Sequence, residues 1–118
     1  MLKDFTKAEH IYIATGFTDM RKGLEGLALL VEKSFGLDPF SNSLFLFCGR
    51  KTDRLKALYY DTDGFILLTK RLDSGRYQWP RNGQEAAELT LQQYRWLMDG
   101  LSVEQPKAIR SVGKYTFG

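Results

Sequence analysis

The sequence predicts an α+β fold: an antiparallel β-meander of four to five strands, packed by one longer N-terminal helix and followed by a short C-terminal helix. Three observations carry this. Between Leu44 and Trp79 short runs rich in branched and aromatic residues are separated by the turn strings GRKTD, DTDG and DSG. Before them, Leu24, Leu27, Ala28, Val31 and Phe35 recur at the three-and-four spacing of one helix face. After them, Thr90 followed by Gln93 makes a capping box ahead of Leu91, Tyr94, Leu97 and Met98.

Taken in order, HIYIA at His10 to Ala14 reads as a strand that ends in the Gly16 loop. The helix is expected from Met20 to Phe35, with Thr18 or Asp19 as its cap and Gly36 as its stop. Gly23 and Gly26 lie on it, each costing about 1 kcal/mol relative to Ala, and suggest close backbone packing. Strands are expected near Leu44 to Cys48, Arg54 to Tyr60, Phe65 to Leu72 and Arg76 to Trp79. Pairing Asp61 with Gly64, and Leu72 with Arg76, sorts the side chains into two faces. Leu55, Ala57, Tyr59, Ile66 and Leu68 form an apolar face suited to the helix; Arg54, Lys56, Thr69, Arg71, Tyr77 and Trp79 lie opposite, beside Leu58, Tyr60 and Leu67. EAAEL, after Pro80, suits either a short edge strand or a first helical turn, and Leu91 to Asp99 reads as the C-terminal helix. Residues 1–105 are thus expected to form a single domain, and 106–118 a tail that is mobile or docked on a partner.

With 118 residues, 43% of them hydrophobic and 14% aromatic, the chain can fill one core. One cysteine, Cys48, cannot form an intramolecular disulfide or a thiolate zinc site, and one histidine, His10, rules out paired-His metal motifs. With no signal-peptide layout and no apolar run near the roughly 20 residues of a membrane span, the expected address is the cytoplasm, with no membrane partner.

The charge is +3 overall, but its distribution is uneven. Residues 1–49 carry net −1, residues 50–81 net +4, and the remainder is balanced. Arg50, Lys51, Arg54, Lys56, Lys70, Arg71, Arg76 and Arg81 are interleaved there with Tyr59, Tyr60, Phe65, Tyr77 and Trp79. Cations with aromatics between them suit phosphate attraction and base stacking, while a charge-protected strand edge is the plainer reading. Arg21 and Lys22 oppose the field of the expected helix start, which points to an anionic partner there. The candidate nucleic-acid-binding residues are therefore Arg21, Lys22, Arg50, Lys51, Arg54, Lys56, Lys70, Arg71, Arg76, Tyr77 and Trp79.

Catalytic motifs find little support. Asp61, Asp63 and Gly64 begin like a calcium loop, but Leu72 stands where the bidentate Glu belongs. No phosphate-binding G-x-x-x-x-G-K-[ST] string is present, and the G-x-x-G match at Gly23 lies within the expected helix. Asp38, Asp61, Asp63 and Asp73 sit in turn contexts, and Cys48 ends an apolar strand. No catalytic residue, metal site or cofactor is expected.

The ordered combination TDMRKG, DPF, LFLF, GR, DGF, KRL and WP, spread from about Ile11 to Pro80 with a weaker continuation in ELTLQQYRWLMDGL, resembles the small accessory protein (second open reading frame, TnpB) of the insertion sequence 66 transposon family. Cys48 and Tyr60 depart from the family pattern, which commonly has a basic residue and Trp there. The resemblance implies a protein that supports DNA transposition beside a separately encoded carboxylate-triad transposase, with no settled activity of its own. Its motif positions here are Thr18 to Gly23, Lys70, Arg71, Leu72, Trp79 and Pro80. Together with the charge distribution it leads to a non-catalytic accessory factor that binds DNA through a basic, aromatic sheet face. The alternative is a protein-protein adaptor for the transposase that uses the second sheet face and the C-terminal helix; a second copy of the chain is a further candidate partner.

Overall fold

The computed structural model describes Leu2, residues 7–83 and residues 85–105; the expected tail at 106–118 lies outside the described residues. Five strands, β1 (His10–Ala14), β2 (Ser43–Cys48), β3 (Arg54–Asp61), β4 (Gly64–Arg71) and β5 (Ala86–Leu89), form one sheet in the order β4-β3-β2-β1-β5. SLFLFC supplies the central strand β2, and all six of its residues are buried because both faces of the sheet are covered there. β4, at one edge, is half-buried to exposed along its whole length.

Only β2-β3-β4 is a meander. β1 runs parallel to β2, with Ile11 opposite Leu44 and Ile13 opposite Leu46, and this corrects the expectation of an all-antiparallel sheet. Parallel neighbours need a crossover, and the helical segment between them provides it. EAAEL resolves as the edge strand β5, antiparallel to β1.

That segment starts later than the expected Met20, at Leu24, the first residue of the apolar spacing. Helix α1 covers Leu24–Leu29 and runs directly into a π-helical turn at Leu30–Ser34, closed by the Phe35 N–H donating to the Leu30 carbonyl. Asp19 does not cap it: its carboxylate accepts from the Arg21 N–H at 2.9 Å and from the Arg21 guanidinium, which leaves Gly23 as an N-cap without a side-chain bond. Gly36, at φ 63°, ends the segment as expected. Gly23 and Gly26 mark no close packing: a Cβ at Gly23 meets nothing within 4 Å, and one at Gly26 meets only Lys22, at 3.5 Å. The longer regular α-helix is α2 (Leu91–Met98), held at its start by the Thr90–Gln93 capping box. At its end the Leu101 N–H bonds the Trp96 carbonyl and the Gly100 N–H bonds that of Leu97, a Schellman motif with Gly100 at φ 81°.

The Asp61–Gly64 register is as expected, so Leu55, Ala57, Tyr59, Ile66 and Leu68 do share a face. What covers it, except at the exposed Ile66, is α2 together with Tyr77 and Trp79, whereas α1 covers the opposite face over Phe45, Phe47 and Leu58. The expected strand from Arg76 to Trp79 does not form, nor does the pairing of Leu72 with Arg76. Instead the Leu72 N–H donates to Asp53 and the Tyr77 N–H to Thr52, both at 2.8 Å, so this segment folds back across the end of the sheet. The Trp79 indole N–H then reaches the carbonyl of Ala14 at 2.9 Å.

Trp79→Phe removes that buried donor, and its expected cost is about 1–3 kcal/mol in urea unfolding. A second test concerns the β1–β5 edge, where His10 Nδ1 lies 2.8 Å from a Glu88 carboxylate oxygen. The Glu88 hydrogen bond, supported by the charges of Glu88 and Glu9, raises the His10 pKa against a smaller opposing effect of burial. Such a group stabilises the fold while protonated, fully below its unfolded value of about 6.5, and the contribution is lost as pH rises through the folded value. Urea midpoints should therefore fall as pH rises through that window, and His10→Gln should remove this part of the dependence.

Candidate nucleic-acid interface

Because β1 and β2 are parallel, the loops that follow them, residues 15–23 and 49–53, emerge at the same end of the sheet. The antiparallel register brings the start of β3 and the finish of β4 to that end as well, with Arg54 opposite Arg71 and Leu55 opposite Lys70. The returning segment adds Arg76 and Arg81. The central third of the sequence thus delivers its cations to one end of the sheet, joined there by Arg21 and Lys22.

Backbone and side-chain bonds lock this end. Thr18 N–H donates to the Cys48 carbonyl at 2.9 Å, and Lys56 Nζ donates to the Lys22 carbonyl at 2.8 Å. Arg76 Nη1 donates to the Lys51 carbonyl at 2.6 Å. Gly49 is required by contact, since a Cβ there would lie 2.7 Å from Met20 Cγ. Thr52 takes φ 57° although it is β-branched and 4% exposed, with its hydroxyl donating to the Lys51 carbonyl at 2.7 Å. A strained residue kept in a buried turn means that the surroundings over-determine the turn.

Between the two loops lies a cleft of about 500 Å³, lined by residues 17–21, 49–51, Asp53 and Arg54. Its cations are Arg21, Arg50, Lys51 and Arg54, and its carboxylates Asp19 and Asp53. The Arg21 guanidinium, donating to both oxygens of Asp19, holds that carboxyl down at about 2, and Asp19 in turn raises the arginine. Among the described residues, this is the ion pair found at the basic end. Two arginines lie over the Phe17 ring, with Arg50 Cζ 5.5 Å and Arg81 Cζ 5.8 Å from its centroid.

Measured against the sequence, Arg21, Lys22, Arg50, Lys51, Lys70, Arg71 and Arg76 are exposed at this end, and Arg54 and Lys56 are half-buried. Tyr77 and Trp79 are corrected: at 3% and 5% exposure they are core residues and offer no stacking surface. Burial lifts the Tyr77 phenol, with a smaller push from Cys48, and its hydroxyl has no hydrogen-bond partner among the described residues. Burial also pushes the Cys48 thiol up to about 12, with Asp53 adding to it, so the thiol stays protonated. The aromatic beside the cations is Phe17, missed because it lies outside the basic third; its place in a loop between Gly16 and TDMRKG was the available signal. Arg21 and Lys22 lie before α1 rather than in its first turn. Among the described residues, no three His, Cys, Asp or Glu side chains gather where a metal ion could bind, and no helix is long and apolar enough to cross a membrane.

Fold and site together define a small α+β protein with a locked, cation-rich end. The chain belongs to the IS66 Orf2-like family, whose model matches residues 9–108. Two relatives from Sinorhizobium fredii (strain NBRC 101917 / NGR234) are both named as uncharacterized proteins. Protein y4hO is 40% identical over 97 residues, covering 82% of this chain and 84% of the relative. Protein y4jC is 35% identical over 91 residues, covering 77% and 78%. No solved structure matches the chain significantly. Membership ties the protein to an accessory role in insertion sequences of the IS66 type.

Gly49→Ala tests the locking of the two loops. Overpacking against Met20 should cost about 1–3 kcal/mol in urea unfolding, and Gly49→Ala combined with Met20→Ala should cost less than the two single changes summed.

Proposed function

We propose that this protein is a non-catalytic accessory factor of DNA transposition that holds DNA through the basic end of its sheet. The single observation behind this reading is the convergence of Arg50, Lys51, Arg54, Arg71 and Arg76 on one end, where Asp19 is already occupied by Arg21. Of the acidic residues flanking the strands, Glu9, Asp61 and Asp63 fall at the opposite end, while Asp53, Asp73 and Glu85 lie at the basic end, outnumbered there by the cations. A charge distribution of this kind orients a protein toward a polyanion before contact. The expected sheet-face interface gives way here to a sheet-end interface, since both faces are covered.

One observation favours the adaptor reading. Phe40, 57% exposed, meets Tyr60 and Phe65 at centroid distances of 5.1 and 5.2 Å near the acidic end, leaving aromatic surface for a protein partner such as the transposase.

Fluorescence anisotropy of a labelled duplex across a salt series tests the primary reading. Contact with about five phosphates predicts a log-log slope of roughly −4.5, and Arg50→Ala should make it shallower by about 1. Absence of binding at low salt refutes DNA contact and leaves the adaptor.

A further inference from the structure

The basic end is not a flat patch. It contains a cleft whose volume, about 500 Å³, falls within the range of small-ligand sites. The cleft also carries more than cations: Phe17 lines it from the loop after β1, and Arg50, Asp53 and Arg54 line it from the loop after β2 and the start of β3. A bare inorganic anion would gain from the arginines and lose to the Asp53 carboxylate. A nucleotide satisfies all three kinds of group, with its phosphate on the arginines, its base against the Phe17 and guanidinium planes, and an exocyclic amine donating to Asp53. Duplex phosphates lie on a convex surface with the bases stacked inside, so only a nucleotide that has left the stack can enter a recess.

The walls are already fixed. Met20 sits against Gly49, Thr52 holds its left-handed turn, and Arg21 is oriented by Asp19, so little ordering cost remains when a nucleotide enters. Resting on the DNA reading above, we infer that this cleft takes one unpaired nucleotide, which makes the preferred ligand single-stranded or frayed-end DNA rather than continuous duplex.

Anisotropy competition against the full chain separates the possibilities, with three probes: a short mixed-sequence single strand, a duplex with a single-stranded overhang, and a covalently closed duplex. The single strand and the overhang should bind about tenfold or more tightly than the closed duplex. Phe17→Ala should weaken single-strand binding roughly 5- to 150-fold, the range of one base stack, and weaken closed-duplex binding at least several-fold less. If that variant does not fold, Phe17→Leu keeps an apolar side chain without the ring and must weaken single-strand binding in the same direction. Equal affinity for all three probes, or equal effects of the Phe17 changes on all three, overturns the inference while the DNA reading stands. Failure to bind any probe overturns both.

Discussion

The parallel pairing of β1 with β2 is the constraint on which the rest depends. Two antiparallel neighbours would send their following loops to opposite ends of the sheet; two parallel ones send both to the same end. Residues 15–23 and 49–53 can meet only because Ile11 lies opposite Leu44 and Ile13 opposite Leu46. The contact of Met20 with Gly49, the Thr18 bond to Cys48 and the cleft between the loops all follow from that register. The crossover that parallel pairing demands also decides which face α1 covers, and so leaves the other face to α2 and the segment carrying Tyr77 and Trp79.

Covering both faces has a functional consequence. A small sheet with one bare face can use it as a platform; here β2 is buried from end to end, and the Leu55-to-Leu68 face is closed by Tyr94, Leu97 and Trp79. Recognition is left to the ends and the β4 edge. Of the two ends, the one with parallel strand exits has the longer loops and the stitched returning segment, so its cations are held on fixed backbone rather than on free tips. Fixed positions lower the entropy lost on binding, which matters for long side chains such as Arg50 and Arg71.

Local signals in the sequence were read well where one interaction dominates. Thr90 and Gln93 form both bonds of the capping box, DTDG sets the Asp61–Gly64 hairpin, and Gly36 stops the helical segment. The charge surplus was legible as a count, and its convergence followed from the topology rather than from any single strand. Misreadings share a cause: a residue's local pattern was outweighed by a competing partner. Asp19 looks like a helix cap until Arg21 takes its carboxylate. Arg76 to Trp79 alternates like a strand, yet its backbone is claimed by Thr52 and its indole by Ala14. The parallel pairing itself left no local trace, because HIYIA suits either strand direction and the choice is made by the crossover.

Thr52 shows how these levels combine. Glycine would relieve its left-handed backbone, since a β-branched side chain is the least suited to that conformation. Its side chain is nevertheless buried, its N–H closes a turn onto the Gly49 carbonyl at 3.0 Å, and its own carbonyl receives the Tyr77 N–H at 2.8 Å. The residue is thus the joint between the Arg50–Lys51 turn and the returning segment that bears Arg76 and Arg81. Strain at such a joint persists only because the contacts on either side outweigh it, and those contacts are the ones that bring the arginines together. The cation-rich end is therefore a product of the core, through Tyr77 and Trp79, more than of the surface residues that give it its charge.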